Sequence, residues 1–449
     1  MISTGLPKGS DSYGSRVTVV PVVNDTRYCL PYARSNVLGM GRVAGYRFFT
    51  RFLCSAVQPI KTPKLLVKVG ELSRRNPDGV IDRNVFGLMF DPHMYMLAYN
   101  RLKSKSGNLT PGLTPETLDG LSGDWINKVI AEMRNESFQF NPARRVMIPK
   151  ANGKLRPLII ASPRDKIVQE VMRMILESIF EPIFTDSSHG FRPNKGCHTA
   201  LRYVLNNFER SNWLIKGDIK ACFDSIDHHL LMSIIGERLS DKRFCNLIWK
   251  ALRVGYGESL QYINVNIIGT PQGSIISPLL CNIYMNRFDQ YMNKLKSEFD
   301  KGDKPARNPE YHRIATQLRR ARIKGDLVKI KELSSIIYTL DYINTHDPNF
   351  LRLSYVRYAD DWLIGVKGQH KDCLELLDKI NRFLLESLKF TNSSDKTGIS
   401  HVKTEKVLFL GTNITRSSHR VYSRIKRLTR LNDDLKMVDH TTRMKLRLR

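Results

Sequence analysis

Two adjacent carboxylates stand between two apolar, β-prone runs, where residues 354–366 read SYVRYADDWLIGV. This pattern predicts a β-hairpin whose turn displays Asp360 and Asp361. Neighbouring like charges raise each other's pKa unless a cation lies between them, and Mg²⁺ accepts a few protein carboxylates while keeping positions for water and phosphate oxygens. A solvated turn is the alternative interpretation, because Asp is a common turn residue.

A second acidic site favours the metal interpretation. Residues 213–224 read WLIKGDIKACFD, a strand-like run that places Asp218 at its end. A two-metal site holds its ions with carboxylates that converge from separate elements of the fold. Asp224 and Asp227 lie close by in sequence, and we assign them to a turn and a helix cap.

A third block lies between the two acidic sites. Residues 269–280 read GTPQGSIISPLL, a loop punctuated by Gly and Pro that opens into an apolar, helical stretch. In order and spacing, the three blocks resemble the palm motifs of reverse transcriptases. Asp218 opens the first motif, PQG forms the second and Tyr-Ala-Asp-Asp forms the third.

The resemblance extends over about residues 85–411. Residues 394–397 and 407–411 are similar to the fourth and fifth palm motifs of the same family. Upstream segments resemble the finger motifs of the reverse transcriptases encoded within group II introns, also called maturases: RRVMIPKANGKLRP (144–157), RDKIVQ (164–169) and SHGFRP (188–193).

The family resemblance implies an α+β, right-hand polymerase fold with an antiparallel palm sheet and an incomplete helical thumb. The implied divisions are a basic N-terminal extension with expected disorder (1–85), fingers (86–205), a palm (206–411) with a basic insertion (about 294–349), and the start of a thumb (412–449). We expect a shortened reading frame without DNA-binding or endonuclease modules, and therefore no second-strand cleavage.

The resemblance also implies roles for the site residues. Asp218 and Asp360 would bridge two Mg²⁺ ions, with Mn²⁺ as a substitute, and Asp361 would support the ion on the primer side. Phe223 would lie beneath the incoming sugar and leave no room for a 2′-hydroxyl, with a place in the core as its alternative. Gln272 would touch the template and the nascent base pair.

Further substrate contacts are expected around this centre. Gly273 would let the backbone approach nucleic acid closely. Lys154 and Arg156 flank a predicted hairpin tip and would reach the triphosphate. Lys396 resembles the lysine that protonates the departing pyrophosphate, although Lys403 and Lys406 are nearby.

Charge composition points to a polyanionic partner. The 449 residues carry a formal net charge of +28, far beyond what solubility requires. Lys294–Glu332 alone holds twelve Lys and Arg against six acids. This insertion is predicted to contact RNA, with a solvated surface helix as the alternative. The predicted RNA-binding residues are Arg144, Arg145, Arg319, Arg320 and Arg322.

Cysteine spacing and hydropathy exclude other classes of protein. The seven cysteines form no C-x-x-C pair, which excludes a zinc ribbon and indicates reduced thiols in an intracellular compartment. No run reaches the ~20 apolar residues of a membrane span. The first 60 residues hold two acids against seven Lys and Arg, which is compatible with organelle import, with an exposed basic arm or with translation of an upstream exon.

These features together predict an RNA-directed DNA polymerase of a group II intron that also acts as maturase and in intron mobility. The predicted partners are the intron RNA, an RNA template, a DNA primer and deoxynucleoside triphosphates, with a homodimer left open. A mitochondrial location is predicted, with chloroplast and bacterial cytoplasm as alternatives. The rival function is a catalytically idle RNA-binding splicing factor. Phe223 disfavours an RNA polymerase, and the insertion disfavours a retron enzyme.

Overall fold

The computed structural model describes residues 62–416, apart from short gaps, and a strand at 444–448. The gaps fall at residues 106, 108–109, 119–121, 150–152, 154, 260–261, 265–267, 272 and 345–346. Lys154, Gln272, the basic extension up to residue 61 and most of the predicted thumb therefore lie outside the described residues.

Helices and strands are mixed along the chain, as the predicted α+β class requires. Short 3₁₀ helices at Phe86–Phe90, Glu181–Ile183 and Cys222–Ser225 accompany the longer elements. Within the described ranges, no helix is both long and apolar enough to cross a bilayer. The described α-helices are α1 (Lys64–Arg75), α2 (Pro92–Leu102), α3 (Gly123–Arg134), α4 (Pro163–Phe180), α5 (Cys197–Asn207), α6 (His228–Gly236), α7 (Lys242–Leu252), α8 (Ser277–Phe299), α9 (Pro309–Lys324), α10 (Leu327–Thr339) and α11 (His370–Leu388).

The described strands form three sheets, with orders β2-β1-β5-β6, β3-β7-β8-β4-β9 and β10-β11-β12. We call the five-stranded sheet the central sheet. The strands are β1 (Ala143–Pro149), β2 (Leu155–Ile160), β3 (Ser188–His189), β4 (Trp213–Asp218), β5 (Tyr256–Ser259), β6 (Tyr262–Asn264), β7 (Arg352–Tyr358), β8 (Asp361–Lys367), β9 (Gly398–His401), β10 (Val407–Phe409), β11 (Thr412–Arg416) and β12 (Met444–Leu448).

The central sheet is antiparallel in its main pairings. β8 pairs with β7 on one side and with β4 on the other, and β4 also pairs with β9. The predicted hairpin between β7 and β8 is confirmed, as is the predicted strand that ends at Asp218. Only the short β3 adds a parallel pairing, through Ser188 and His189 against the end of β7.

Both faces of the central sheet are covered, which explains the unbroken apolar run in β8. Leu363 points to a cluster that includes α5. Trp362 and Ile364, its neighbours along the strand, point to the larger core that includes α8 and α11. Successive side chains of a strand point to opposite faces, so a strand buried on both sides is apolar at every position.

The long buried helix that follows the β1–β2 hairpin is α4. Ser162 caps it by accepting a hydrogen bond from the Asp165 amide at 3.2 Å, and Pro163 occupies its first position. The predicted hairpin at 146–160 is confirmed too, as β1 and β2 pair from Arg144 opposite Ile160 to Pro149 opposite Leu155.

The basic insertion is a helical hairpin of α9 and α10. Gly325, at a φ of 72°, ends α9, and Asp326 caps α10 by accepting from the Lys329 amide at 3.1 Å. A β-bridge between Lys301 and Leu351 closes the base of the insertion. The insertion is therefore a discrete excursion between α8 and β7.

At each end of the resemblance, a short segment differs in the structure from what was expected. Disorder was expected to residue 85, yet residues 64–75 form α1, because Leu66, Val69 and Ser73 share one helical face that is buried. Ser73 Oγ donates to Ile179 O at 2.5 Å beneath that face. A helical thumb was expected from residue 412, yet Thr412–Arg416 is β11, whose β-branched residues pair with β10 across a tight turn.

Gly217 provides a test of the packing that supports Asp218. A Cβ atom on Gly217 would lie 2.0 Å from Trp362 Cζ2, and Trp362 is fully buried. We expect Gly217→Ala to lower the free energy of unfolding by about 1–3 kcal/mol, since overpacking displaces a rigid indole. Urea unfolding followed by circular dichroism measures this difference.

Gly398→Ala is the matched control. Gly398 lies in β9 of the same sheet, and a Cβ there would meet no atom within 4 Å. We expect the control to match the parent or to exceed it by up to about 1 kcal/mol. Equal losses in the two variants would contradict the packing argument.

Candidate active site

Three carboxylates lie at one end of the central sheet. Asp218 ends β4 and pairs in register with Asp361, which begins β8. Asp360 occupies the β7–β8 turn next to Ala359, whose φ of 56° gives the turn its left-handed step. The structure thus brings together all three aspartates that the sequence analysis selected, from segments far apart in the chain.

Burial and mutual repulsion shape the electrostatics of this cluster. The pKa of Asp361 is raised to about 6, first by burial and then by the charges of Asp360 and Asp218. The pKa of Asp360 is also raised, first by burial and then by the charge of Asp218. Bringing carboxylates together out of water disfavours their charged forms, so the cluster favours a cation beside it.

Cationic side chains offset part of the repulsion among these carboxylates. Lys396 Nζ lies 2.8 Å from Asp218 Oδ2, and this hydrogen bond raises the pKa of the lysine. Lys216 favours the charged form of Asp361, and Arg156 favours that of Asp360. Lys396 is thereby singled out from Lys403 and Lys406 as the lysine that contacts the cluster.

The donor set fits a hard divalent cation. Carboxylate oxygens are the protein ligands that Mg²⁺ accepts, and a dication would relieve the repulsion that raises the two pKa values. Among the described residues, no group of three His, Cys, Asp or Glu side chains has spacing ready to hold a metal. The Mg²⁺ and Mn²⁺ assignments therefore stay predictions that rest on the chemistry of Asp218, Asp360 and Asp361.

Phe223 lies in the 3₁₀ helix that follows β4 and Asp218. Its backbone carbonyl accepts a hydrogen bond from the Thr270 amide at 2.7 Å, which ties it to the loop of the second motif. Its ring is half-buried and contacts Phe191 edge to face, with ring centroids 6.1 Å apart. Its predicted place beneath the incoming sugar and its sugar-selecting role stay predictions.

Phe191 was not selected from the sequence, although it contacts Phe223 in the structure. Its side chain is 52% exposed beside Phe223, and its φ is 56°. A large aromatic residue with a left-handed backbone is uncommon away from functional sites. The signal was present in the SHGFRP segment, but only the fold shows that this segment reaches Phe223.

The second motif loop is held by protein contacts on its described side. A Cβ on Gly273, at a φ of 110°, would lie 2.4 Å from Ile159 O, so close packing against β2 requires glycine here. Gln169 Oε1 accepts from Ser274 Oγ at 3.0 Å and from the Ile275 amide at 3.1 Å. The predicted contact of Gly273 with nucleic acid is an additional, untested role.

The predicted cationic residues fall in two places. Arg156 is exposed on β2, while Arg144 and Arg145 are half-buried on β1, where the Arg145 guanidinium lies 5.4 Å from the centroid of the Tyr256 ring. The second group lies on the insertion, on the outer face of α9, and all its members are exposed: Arg319, Arg320 and Arg322. Triphosphate contact by Arg156 stays a prediction, as does RNA contact by Arg144, Arg145 and the three arginines of α9.

Comparison with known proteins identifies relatives of this chain. A family model for reverse transcriptase (RNA-dependent DNA polymerase) matches residues 148–318. The chain is 44% identical over 370 residues to an uncharacterized 91 kDa protein in the cob intron of Schizosaccharomyces pombe, covering 81% of this chain and 46% of that protein. It is 38% identical to the group II intron-encoded protein LtrA of Lactococcus lactis, covering 79% of this chain and 60% of LtrA.

A bacterial relative is matched over more of its length. Protein YkfC of Escherichia coli is 34% identical over 335 residues, which is 71% of this chain and 79% of YkfC. The chain spans about half the length of the Schizosaccharomyces and Lactococcus relatives. From the matched family model and these relatives, the chain belongs to the family of group II intron-encoded reverse transcriptases and maturases.

Proposed function

We propose that this chain is the RNA-directed DNA polymerase of a group II intron, with a maturase role in splicing and a role in intron mobility. The observation that carries the proposal is the convergence of Asp218, Asp360 and Asp361 at one end of the central sheet. In this proposal the central sheet belongs to the palm, and β1 and β2 belong to the fingers. A mitochondrial location is part of the proposal, supported by a 32% identical relative from Marchantia polymorpha that is named as an uncharacterized mitochondrial protein.

The three aspartates would hold Mg²⁺, with Mn²⁺ as a substitute. When bound, the metal would activate the primer 3′-hydroxyl and neutralise the triphosphate charge. The protein itself orients the three carboxylates. The β4–β8 pairing orients Asp218 and Asp361, and the turn at Ala359 orients Asp360.

Two cations of the chain would act on the triphosphate. Arg156 is exposed within electrostatic range of Asp360, and a guanidinium suits contact with phosphate oxygens. Lys396 Nζ keeps its proton because it contacts Asp218. In this proposal that proton would pass to the departing pyrophosphate.

Asp360→Asn tests the catalytic assignment. We expect primer extension on an RNA template to fall by about 10²-fold or more, because a charge that stabilises the transition state is lost. Single-turnover extension with Mg²⁺ measures the rate. Asp378→Asn, which alters an exposed carboxylate on α11, is the control and should extend like the parent. Extension at the parental rate by the Asp360→Asn variant would remove Asp360 from catalysis.

Phe223→Ala tests selection of the sugar. Removing the ring opens space beneath the 2′-carbon, so ribonucleotide incorporation relative to deoxynucleotide incorporation should rise about tenfold or more. Deoxynucleotide use should persist. The measurement is the ratio of kcat/KM for the two substrates, with Tyr338→Ala on the insertion as an exposed aromatic control. An unchanged ratio would exclude this role.

RNA binding apart from chemistry is a second candidate function, that of a splicing factor. The exposed arginines of α9 favour it, since structured RNA is recognised largely by shape and phosphate contacts. Reversing charge at Arg319, Arg320 and Arg322 to Glu should weaken intron RNA binding. The slope of the logarithm of RNA affinity against the logarithm of salt concentration should become shallower by about 0.7–0.9 per lost phosphate contact. Extension of a short, saturating primer-template should stay near the parental rate.

A matched triple reversal controls for net charge. Lys371, Lys379 and Arg382 lie exposed on α11, and their change to Glu alters the formal charge by the same amount. Filter binding across a salt series should show little loss for the α11 variant and a clear loss for the α9 variant. Equal losses of RNA affinity in the two variants would mean that the insertion is a solvated helical hairpin and not an RNA-binding surface.

A further inference from the structure

Arg357 lies fully buried beneath the turn that carries Asp360. Its guanidinium forms a bidentate pair with Asp289 of α8, with Nε 2.8 Å from Oδ1 and Nη2 2.6 Å from Oδ2. Both side chains have no exposed surface, and the paired carboxylate raises the pKa of the arginine against the effect of burial. A buried ion pair contributes little net stability compared with apolar residues, so its presence here calls for another explanation.

The other donors of the same guanidinium are also used. Nη1 donates to Asn282 Oδ1 at 3.0 Å and to the Ala359 carbonyl at 2.8 Å, and Nη2 donates to Ser188 Oγ at 2.7 Å. An arginine has five N–H donors, and each of them has an acceptor. One side chain therefore connects α8, β3 and the β7–β8 turn.

The contact with Ala359 is the one that reaches the site. The Ala359 carbonyl and the Asp360 amide belong to one planar peptide group, so holding the carbonyl fixes the plane from which Asp360 projects. The Asp360 amide in turn interacts with its own carboxylate. On the other side, the Ala359 amide donates to His189 O at 3.0 Å, so both peptide groups of this left-handed residue are held.

We propose that Arg357 is a positioning residue, which directs Asp360 towards Asp218 and Asp361 by holding the Ala359 carbonyl. This inference rests on the proposed function, because it concerns the same carboxylates. Asn282 and Asp289 lie on α8, which follows the second motif loop, so the arginine also sets the turn relative to that loop.

Arg357→Met removes the contact but also leaves Asp289 buried without its partner. A triple variant, Arg357→Met with Asp289→Leu and Tyr355→Phe, removes the buried ion pair and the Tyr355 hydroxyl, which donates to Asp289 Oδ1 at 2.7 Å. Apolar replacement of a buried ion pair is often neutral, so the triple variant should recover stability that the single variant loses. The triple variant should not restore the orientation of the Asp360 side chain.

We expect the triple variant, per folded molecule, to extend primers about 10²-fold more slowly at saturating nucleotide, with primer-template affinity and nucleotide KM near the parent's. Mn²⁺ affinity, measured by electron paramagnetic resonance without substrate, should fall about tenfold or more. Arg238→Met is the control. Arg238 is a buried arginine outside the candidate active site, and it donates hydrogen bonds to Asn76 O and Ser73 Oγ. It should lose stability and keep kcat and Mn²⁺ affinity.

Recovery of kcat and Mn²⁺ affinity together with stability in the triple variant would overturn the inference and leave Arg357 a purely structural residue. A parent protein that fails to extend primers would contradict the proposed function instead. The Mn²⁺ comparison decides the role of Arg357 in that case as well, since it needs no polymerisation.

Discussion

The antiparallel pairing of β4 with β8 is the constraint on which the rest of the site depends. It runs in unbroken register from Trp213 opposite Val366 to Asp218 opposite Asp361. Directly opposed residues share a face of the sheet, so this register sets two like charges against each other. A slip of one residue would turn Asp361 to the other face. Gly217 opposite Trp362 protects the register, because only glycine leaves room for the buried indole.

Opposed carboxylates cost folding stability, and the surrounding structure offsets only part of that cost. Lys396 pairs with Asp218, while Lys216 and Arg156 act on the other two carboxylates from a greater distance. The raised pKa values show that repulsion and burial still dominate. Local arrangements that oppose stability are concentrated at functional sites, where the rest of the fold maintains them. In the proposed function, a divalent cation would relieve the remaining repulsion among these carboxylates.

The basic insertion adds charge without disturbing this register. The chain leaves α8 and returns to β7 at neighbouring points, joined by the Lys301–Leu351 bridge and by Asp300, whose Oδ1 accepts from the Leu353 amide at 2.7 Å. β7, the strand that leads to Asp360, therefore starts from a fixed point regardless of the insertion that precedes it. The α9–α10 hairpin has only a few buried residues of its own, and its arginines remain exposed.

The sequence by itself determined the parts whose chemistry is local. The β7–β8 hairpin, the strand before Asp218, the capping role of Asp227 and the three aspartates followed from alternating apolar residues, turn residues and motif order. Only the tertiary structure decided which partners these segments meet. Arg357 is one charged residue in a strand pattern, and its burial depends on Asp289 and Asn282, distant in sequence. The helix α1 was missed for the same reason, because burial against α4, which local composition does not encode, stabilises it. The strand β11 was missed although its β-branched residues and the tight turn before it are local signals.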